Sequence, residues 1–554
     1  MEAVVGGRLE SVTRTPATNP IERFALLGLL LLAVAVHGWL LTHTYVTARD
    51  SIRFARTAIQ MERSAGTPAN PGEIDDSLTG VLQRAEDPPG YPMAVLVTSW
   101  FVRSVYHPPG PTPLADQMLF SAQLAAAIAG VLLIFPMYWL GRQLFGQFAG
   151  FAAAAMFQVL PVPAHITSDG LSDGLYLFFL ACSLAFGTRA IGRPTIGKFL
   201  QCGFATGLCF LVRPEGALGG LSCGFVGIGM VLLGRWPWRA AMGWFTALTV
   251  GAVLMAAPYM VLIGGISNKP SVREMMSPIL NPRQQMMQGA QGAVPVANAP
   301  LIAAVFVPNV DGNKFLWVPQ AVVKEAGKGF HYSVAVLGFI GLFTARRMIR
   351  DDARIWVIVA FQFLSLALVV TLGYKQSYIS ERHTLPIVMV GSILAGGSLL
   401  PFSRWLCGSR ESSVVGVAVA ILVVVMMSAI PATLKPLHAQ RVGHVLAGRY
   451  LAEHAKPEDT IVDPYEWALY YSGRSYSNVS PDPEKPPIHW VVIVPESGNA
   501  KRDFSPDSRH DRLKLAESIA SHPAAEVVYY WPEDGPVENA RVKLYRRDER
   551  RVQK

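Results

Sequence analysis

Cysteine is scarce in this chain: five residues in 554, at Cys182, Cys202, Cys209, Cys223 and Cys407. Four lie in or beside long apolar runs and the fifth in a short basic connection, so neither a disulfide framework nor a cysteine metal cluster is supported. Charge is also thin, at 16% of residues against 51% hydrophobic, which argues for a membrane core rather than a set of soluble domains. The net charge is +9, yet no concentrated basic and aromatic module is present, which excludes nucleic acid as a partner. A glycine-rich phosphate loop is missing too: Gly473-Arg474-Ser475 offers a single helix-end glycine. No His, Asp and Glu spacing points to zinc. The sequence calls for no cofactor and leaves a divalent metal open.

Long apolar runs are what the chain has in quantity. They fall at about 24–43, 117–141, 147–163, 171–189, 197–212, 216–234, 239–264, 331–345, 355–373, 384–401 and 412–432. Such runs far exceed barrel strands and must be helical to satisfy their backbone in hydrocarbon. The expected fold is a polytopic α-helical membrane protein with about 11–13 transmembrane helices and a small C-terminal α/β domain. The connections alternate between two sets. One is short and basic, including Arg142, Arg189, Arg193, Lys198, Arg235, Arg239, residues 346–354, Arg404 and Arg410; the other, at 44–115, 161–173, 213–216, 265–332 and 374–383, mixes charge with Pro and Tyr. Short basic connections are cytoplasmic. The N-terminus is therefore expected inside, the run at 24–43 is read as a retained signal anchor, and the second set of connections faces outward together with everything after residue 436.

Two outward segments are long. In 44–115, the stretch 47–62 places Ile52, Ala55 and Ile59 on one helical face, which predicts a surface-lying amphipathic helix. Residues 64–80 read as an exposed loop, and 90–106 as a membrane-surface or re-entrant helix. The segment 265–332 is irregular and suits a lid or an ordinary loop equally. Residues 440–554 alternate strand and helix signals: 460–464, 489–494, 527–531 and 540–545 as strands, 465–471 and 512–519 as helices. The expected division is a transmembrane unit over 1–435 and a soluble exterior unit over 440–554.

The outward connections hold the chemically capable residues. Asp50 and Arg53 stand three apart, hence on one helical face with Arg56 beyond them. A carboxylate there could accept a hydroxyl proton and an Arg could grip a phosphate, or the two could be an interfacial ion pair. Asp87, in Asp87-Pro88-Pro89-Gly90-Tyr91-Pro92, is held on a stiff backbone, with Glu86 beside it as a competitor; a helix N-cap is its plain alternative. Arg213-Pro214-Glu215 breaks two apolar runs at a tight turn, where Glu215 also suits a helix start. Lys375, Tyr378, Arg382 and His383 crowd one outward connection, as a phosphate clamp or as head-group anchors. Asp169 and Asp173, four apart, are expected to share a helix face, with capping as the alternative for either.

Together these motifs resemble the GT-C membrane glycosyltransferases, in particular the bacterial relatives of protein O-mannosyltransferase and of lipid A aminoarabinose transferase. The resemblance covers residues 20–435 and rests on 48–54 (Ala-Arg-Asp-Ser-Ile-Arg-Phe), 87–92, 171–176, 212–216 and 380–386. It implies a GT-C fold and inverting transfer from a polyprenyl-phosphate sugar to a hydroxyl of a glycan, lipid or protein acceptor, at the outer face of a bacterial inner membrane. By the same resemblance Asp50 is the catalytic base, and Asp87 positions the acceptor or assists as a second acid. Arg53, Lys375, Tyr378 and Arg382 would bind the donor phosphate, and Glu86, Asp169, Asp173, Arg213, Glu215 and His383 would line the site. The family often has a second acid after the first; here that residue is Ser51. The competing readings are a transporter, which would show internal repeats and a polar site at mid-membrane, and a receptor or assembly protein using 440–554 as its binding module.

Overall fold

The computed structural model describes residues 20–65, 77–269, 272, 314–376, 378–408, 410–476, 488–495 and 508–548. In chain order its helices are α1 (Pro20–Thr42), α2 (Arg49–Ser64), α3 (Leu78–Arg84), α4 (Gly90–Val105), α5 (Pro113–Leu132), α6 (Ile134–Phe145), α7 (Gln147–Val159), α8 (Pro161–Ser168), α9 (Asp173–Gly192), α10 (Ile196–Val212), α11 (Ala217–Leu232) and α12 (Trp238–Ile263). There follow α13 (Lys314–Gly329), α14 (Ser333–Asp351), α15 (Ile355–Gln376), α16 (Glu381–Cys407), α17 (Val414–Thr433), α18 (Val442–His454), α19 (Trp467–Tyr471) and α20 (Ser508–Ala520).

Every one of the eleven apolar runs is helical, but not every one is a straight span. Eight helices are long and apolar enough to cross a membrane, the longest being the continuous α5–α6 unit, Pro113–Phe145. Two more runs belong to bent pairs, α7 with α8 at 67° and α13 with α14 at 106°, and Ile196–Val212 is apolar but shorter. The protein is a multi-pass membrane protein, and the expected 11–13 spans become eight to ten among the described residues. Hydropathy registers an apolar run; it registers neither a bend within it nor the length left after its ends are capped. The α7–α8 bend has a local cause. Leu160 precedes Pro161 and is therefore pushed out of the helical region, to φ −68° and ψ 131°.

The same bend aims α8 at the start of α9. Between them Gly170 takes φ +69°, and a Cβ there would lie 3.1 Å from the Ser51 Cβ of α2. Glycine is thus required twice over, by conformation and by close approach. The turn overturns one expectation: Asp169 ends α8 and Asp173 begins α9, so the two acids share no helix face.

The α2 helix lies outside the candidate spans and buries Ile52, Ala55 and Ile59, as its spacing predicts. Arg103 of α4 bonds Glu62 of α2 at 2.6 Å. On α4, Tyr91, Val95, Ser99 and Val102 face inward, while Met93, Val97, Trp100, Phe101 and Val105 are exposed. An apolar outer face on a short surface helix is the pattern of an interfacial element. The first residue of α4, Gly90, abuts α10: a Cβ there would sit 2.6 Å from the Leu211 carbonyl oxygen. Within 64–80, expected as a loop, residues 78–80 already belong to α3, and 66–76 lie outside the described residues. Most of the segment read as either a lid or an ordinary loop, 265–332, also lies outside them, although 314–329 is α13.

The small C-terminal domain holds strands β1 (Thr460–Val462), β2 (Ile488–Ile493), β3 (Ala525–Trp531) and β4 (Val542–Asp548), all expected from the sequence. They form one mixed sheet in the order β1-β2-β4-β3, with β1 and β2 parallel and the other pairs antiparallel. Helix α19 docks this domain on the helical body. Trp467 Nε1 donates to the Thr47 carbonyl at 3.2 Å, and Thr112 Oγ1 donates to the Tyr471 carbonyl at 2.8 Å.

Candidate functional site

Asp173 occupies the first position of α9, where the helix's positive end favours a carboxylate, and it is 1% exposed. A charge so buried persists only if it is paired. Arg213, extended between α10 and the Pro214–Gly216 turn, brings Nη1 to Asp173 Oδ1 at 2.5 Å, and its guanidinium lies over the Tyr176 ring. Arg382, in the first turn of α16, gives Nε and Nη2 to Asp173 Oδ2 at 3.1 and 2.9 Å. Its remaining arm, Nη1, reaches Asp50 Oδ2 on α2 at 2.5 Å.

The chain of charges extends both ways. Beyond Arg213 stands Glu215 at 3.7 Å, itself held by Lys269 Nζ at 2.6 Å. On the α2 side Arg53 does not bond Asp50; it turns to Asp87 at 2.7 Å and Glu86 at 2.9 Å. Asp87 is not a helix cap, since the N-cap of α4 is Pro89. Burial opposes ionisation of Asp50, but the guanidiniums of Arg382 and then Arg53 outweigh it and hold its carboxyl below the usual carboxylate range. Burial likewise works against the Arg53 charge, and Asp87, Asp50 and Glu86 more than compensate, raising its pKa. Tyr91 stays a phenol: burial, reinforced by Asp173 and Asp169, pushes it well up, and its hydroxyl donates to the Ala122 carbonyl at 2.7 Å.

Next to this network lies a cavity of about 80 Å³. Its lining combines charged and polar side chains, among them Arg213, Glu215, Lys375, Arg382 and His383, with apolar ones, among them Leu218, Leu368, Leu372 and Pro386. His383 Nδ1 accepts from the Ser380 N–H at 3.1 Å, so in the neutral ring the N–H sits at Nε2.

Ten of the residues singled out from sequence therefore meet at one place: Asp50, Arg53, Glu86, Asp87, Asp173, Arg213, Glu215, Lys375, Arg382 and His383. Two do not. Tyr378 is 51% exposed and packs edge-on against His383, outside the cavity lining. Asp169 is turned away: Oδ1 accepts from the Ala48 N–H at 2.9 Å and Oδ2 bonds His438 Nε2 at 2.8 Å. Ala48 is the N-cap of α2 and offers no side-chain cap, so Asp169 caps that helix from a distance.

Lys269 and His438 were not read as site residues. Lys269 follows α12 and His438 follows α17, both in connections that the alternation of basic loops assigns to the same side as Asp50, so that pattern could have marked them. Ser51, standing where a second acid is common, is fully buried and donates to Thr47 Oγ1 and the Ala48 carbonyl, facing Gly170 rather than the cavity. Among the described residues no group of three or more His, Cys, Asp or Glu side chains gathers as a metal site. Asp50, Asp87 and Asp173 each close on a guanidinium, which does not suit a divalent cation.

A family described as Dolichyl-phosphate-mannose-protein mannosyltransferase matches residues 96–261. Among solved structures, ArnT from Cupriavidus metallidurans bound to undecaprenyl phosphate is similar, with 17% identity, a TM-score of 0.55, and 94% of this chain and 97% of that one covered. The oligosaccharyltransferase AglB from Archaeoglobus fulgidus, in complex with an inhibitory peptide and a dolichol-phosphate, gives 12% identity and a TM-score of 0.54 over 84% of this chain. The apo oligosaccharyltransferase of that organism gives 13% identity and a TM-score of 0.51 over 83% of this chain. This chain spans 65% of the length of either archaeal chain. Comparison with curated proteins gives no match. At these identities the likeness is one of fold.

Proposed function

The chain has the GT-C fold of membrane glycosyltransferases, and from that premise we propose that it transfers a sugar from a polyprenyl-phosphate donor to an acceptor hydroxyl. The observation that carries this reading is the junction of Asp50, Arg382 and Asp173 beside a cavity lined by both cationic and apolar side chains. A lipid phosphate combines the same two chemistries. Its prenyl chain remains in hydrocarbon, so no extraction of many methylene groups into water opposes binding. Its head group is met by guanidinium and ammonium donors, and a phosphate leaves readily once its charge is neutralised.

In this reading Arg382, Lys375 and Arg53 hold the donor phosphate, with Tyr378 at the margin. Asp50 takes the proton of the acceptor hydroxyl. The acceptor oxygen attacks the anomeric carbon from the face opposite the phosphate, and the configuration inverts. Asp87, anchored by Arg53, positions the acceptor, while Arg213, Glu215 and His383 shape the cavity. Residues 1–435 would be the catalytic unit of a bacterial inner-membrane enzyme with its site outward, and 440–554 an exterior domain. No step is assigned to a metal.

The test is label transfer from a polyprenyl-phosphate sugar by the purified full-length protein in liposomes. Asp50→Asn should lower the transfer rate by about two to four orders of magnitude, the usual contribution of a positioned general base. Full activity in that variant, with a verified acceptor, would remove Asp50 from the chemistry.

A further inference from the structure

A base that is ion-paired and a phosphate clamp that is already engaged stand in conflict. The geometry at Arg382 points to the resolution. Arg382 divides its donors unequally: Nε and Nη2 both go to Asp173, and Nη1 alone goes to Asp50. The two carboxylates are also unequal. Asp173 is 1% exposed and carries a second guanidinium, Arg213, on its other oxygen, whereas the Asp50 side chain is 32% exposed. Opening the Asp173 pair would strand a buried charge, a costly change. Opening the Asp50 pair leaves a carboxylate that is already 32% exposed, a smaller change than stranding Asp173. Arg382 also lines the cavity together with Lys375 and His383. An anion entering there meets a guanidinium held by two donors to a buried carboxylate on one side and by a single donor to a more exposed one on the other.

We propose that a lipid phosphate entering this cavity displaces Asp50 from Arg382, so that donor binding itself releases the base. The inference rests on the donor reading given above. Without donor, Asp50 is neutralised by Arg382 and is a poor proton acceptor. With donor, Nη1 turns to a phosphate oxygen, the guanidinium charge is spent on the phosphate, and Asp50 becomes more basic. The acceptor O–H proton then passes to Asp50, and the acceptor oxygen bonds the anomeric carbon. The anomeric carbon–oxygen bond to phosphate breaks with its electron pair, and Arg382 meets the charge that develops on the leaving phosphate. Asp173 is a positioning residue in this scheme, because it keeps Arg382 in place through the exchange.

Binding separates this scheme from a fixed Asp50–Arg382 strut. Farnesyl phosphate is titrated into the full-length protein in phosphatidylcholine nanodiscs, with thermal unfolding used to confirm that each variant is folded. Asp50→Asn, which removes the competing charge, should bind about three- to tenfold tighter than the unmodified protein, a range set by ion pairs of this exposure. Asp50→Ser carries the same expectation should the Asn variant fail to fold. Glu62→Gln removes a charge from the same helix that pairs with Arg103, outside the cavity lining, and should change affinity clearly less. The gain from Asp50→Asn should vanish in an Arg382→Lys background, the mark of a direct coupling. Inorganic phosphate should bind far more weakly than farnesyl phosphate, and equal affinity would overturn the assignment to a lipid. Unchanged or weaker binding by Asp50→Asn, or an equal gain from Glu62→Gln, overturns the displacement and leaves the donor site standing. Absence of binding to the unmodified protein removes both.

Discussion

At the residue scale the functional question is what Asp50 is bonded to. Its partner Arg382 lies 332 positions away, and no local spacing predicts that pair. Spacing pointed instead to Arg53, three residues on, which is on the right face but is taken by Asp87 and Glu86. The pairing has a kinetic signature. In the free protein the Asp50 carboxyl is held below the usual carboxylate range, so the acid limb of kcat/KM should lie below about pH 4. A base acts unprotonated, so activity falls as pH drops through its pKa. Once donor phosphate neutralises Arg382 that pKa rises, and the acid limb of kcat should sit at higher pH than that of kcat/KM. A pair of pH–rate profiles measures both limbs; coincident limbs would mean that donor does not alter the Asp50 environment.

At the scale of elements, two breaks in helices place the site. Leu160 before Pro161 bends α7 from α8, and Gly170 in the left-handed region separates Asp169 from Asp173. The first break is legible in the sequence as Pro161 and Pro163. The second turns on a glycine whose φ no pattern discloses, so the two acids look like helix neighbours and are not. Asp169 thereby becomes the cap of α2 and the link to His438. Asp169→Ala should lower stability by about 1–3 kcal/mol, the cost of leaving a buried donor unsatisfied, read as thermal unfolding in detergent. Because α2 carries Asp50 two residues beyond Ala48, the same change should reduce kcat with donor KM little altered. A change in KM alone would show that the cap does not position the base.

At the scale of the whole molecule the helices form a multi-pass membrane protein whose outward orientation remains an expectation of the basic connections. A reporter fused after residue 436 should appear outside the cytoplasm, and a cytoplasmic signal would reverse the proposed side of the chemistry. The C-terminal domain meets the site-bearing helices through Trp467 to Thr47 and Thr112 to Tyr471, contacts that join residues from opposite ends of the chain. By itself the sequence determined the elements: eleven apolar runs, the amphipathic α2, and the strands of the small sheet. Each of these follows from local composition and periodicity, which one segment carries whole. Only the tertiary structure decided which of the runs are straight, that Arg382 is shared between Asp50 and Asp173, and that Ser51 faces Gly170 instead of the cavity. A buried charge takes whichever partner the packing brings within about 3 Å, and that choice is made by helices distant in sequence.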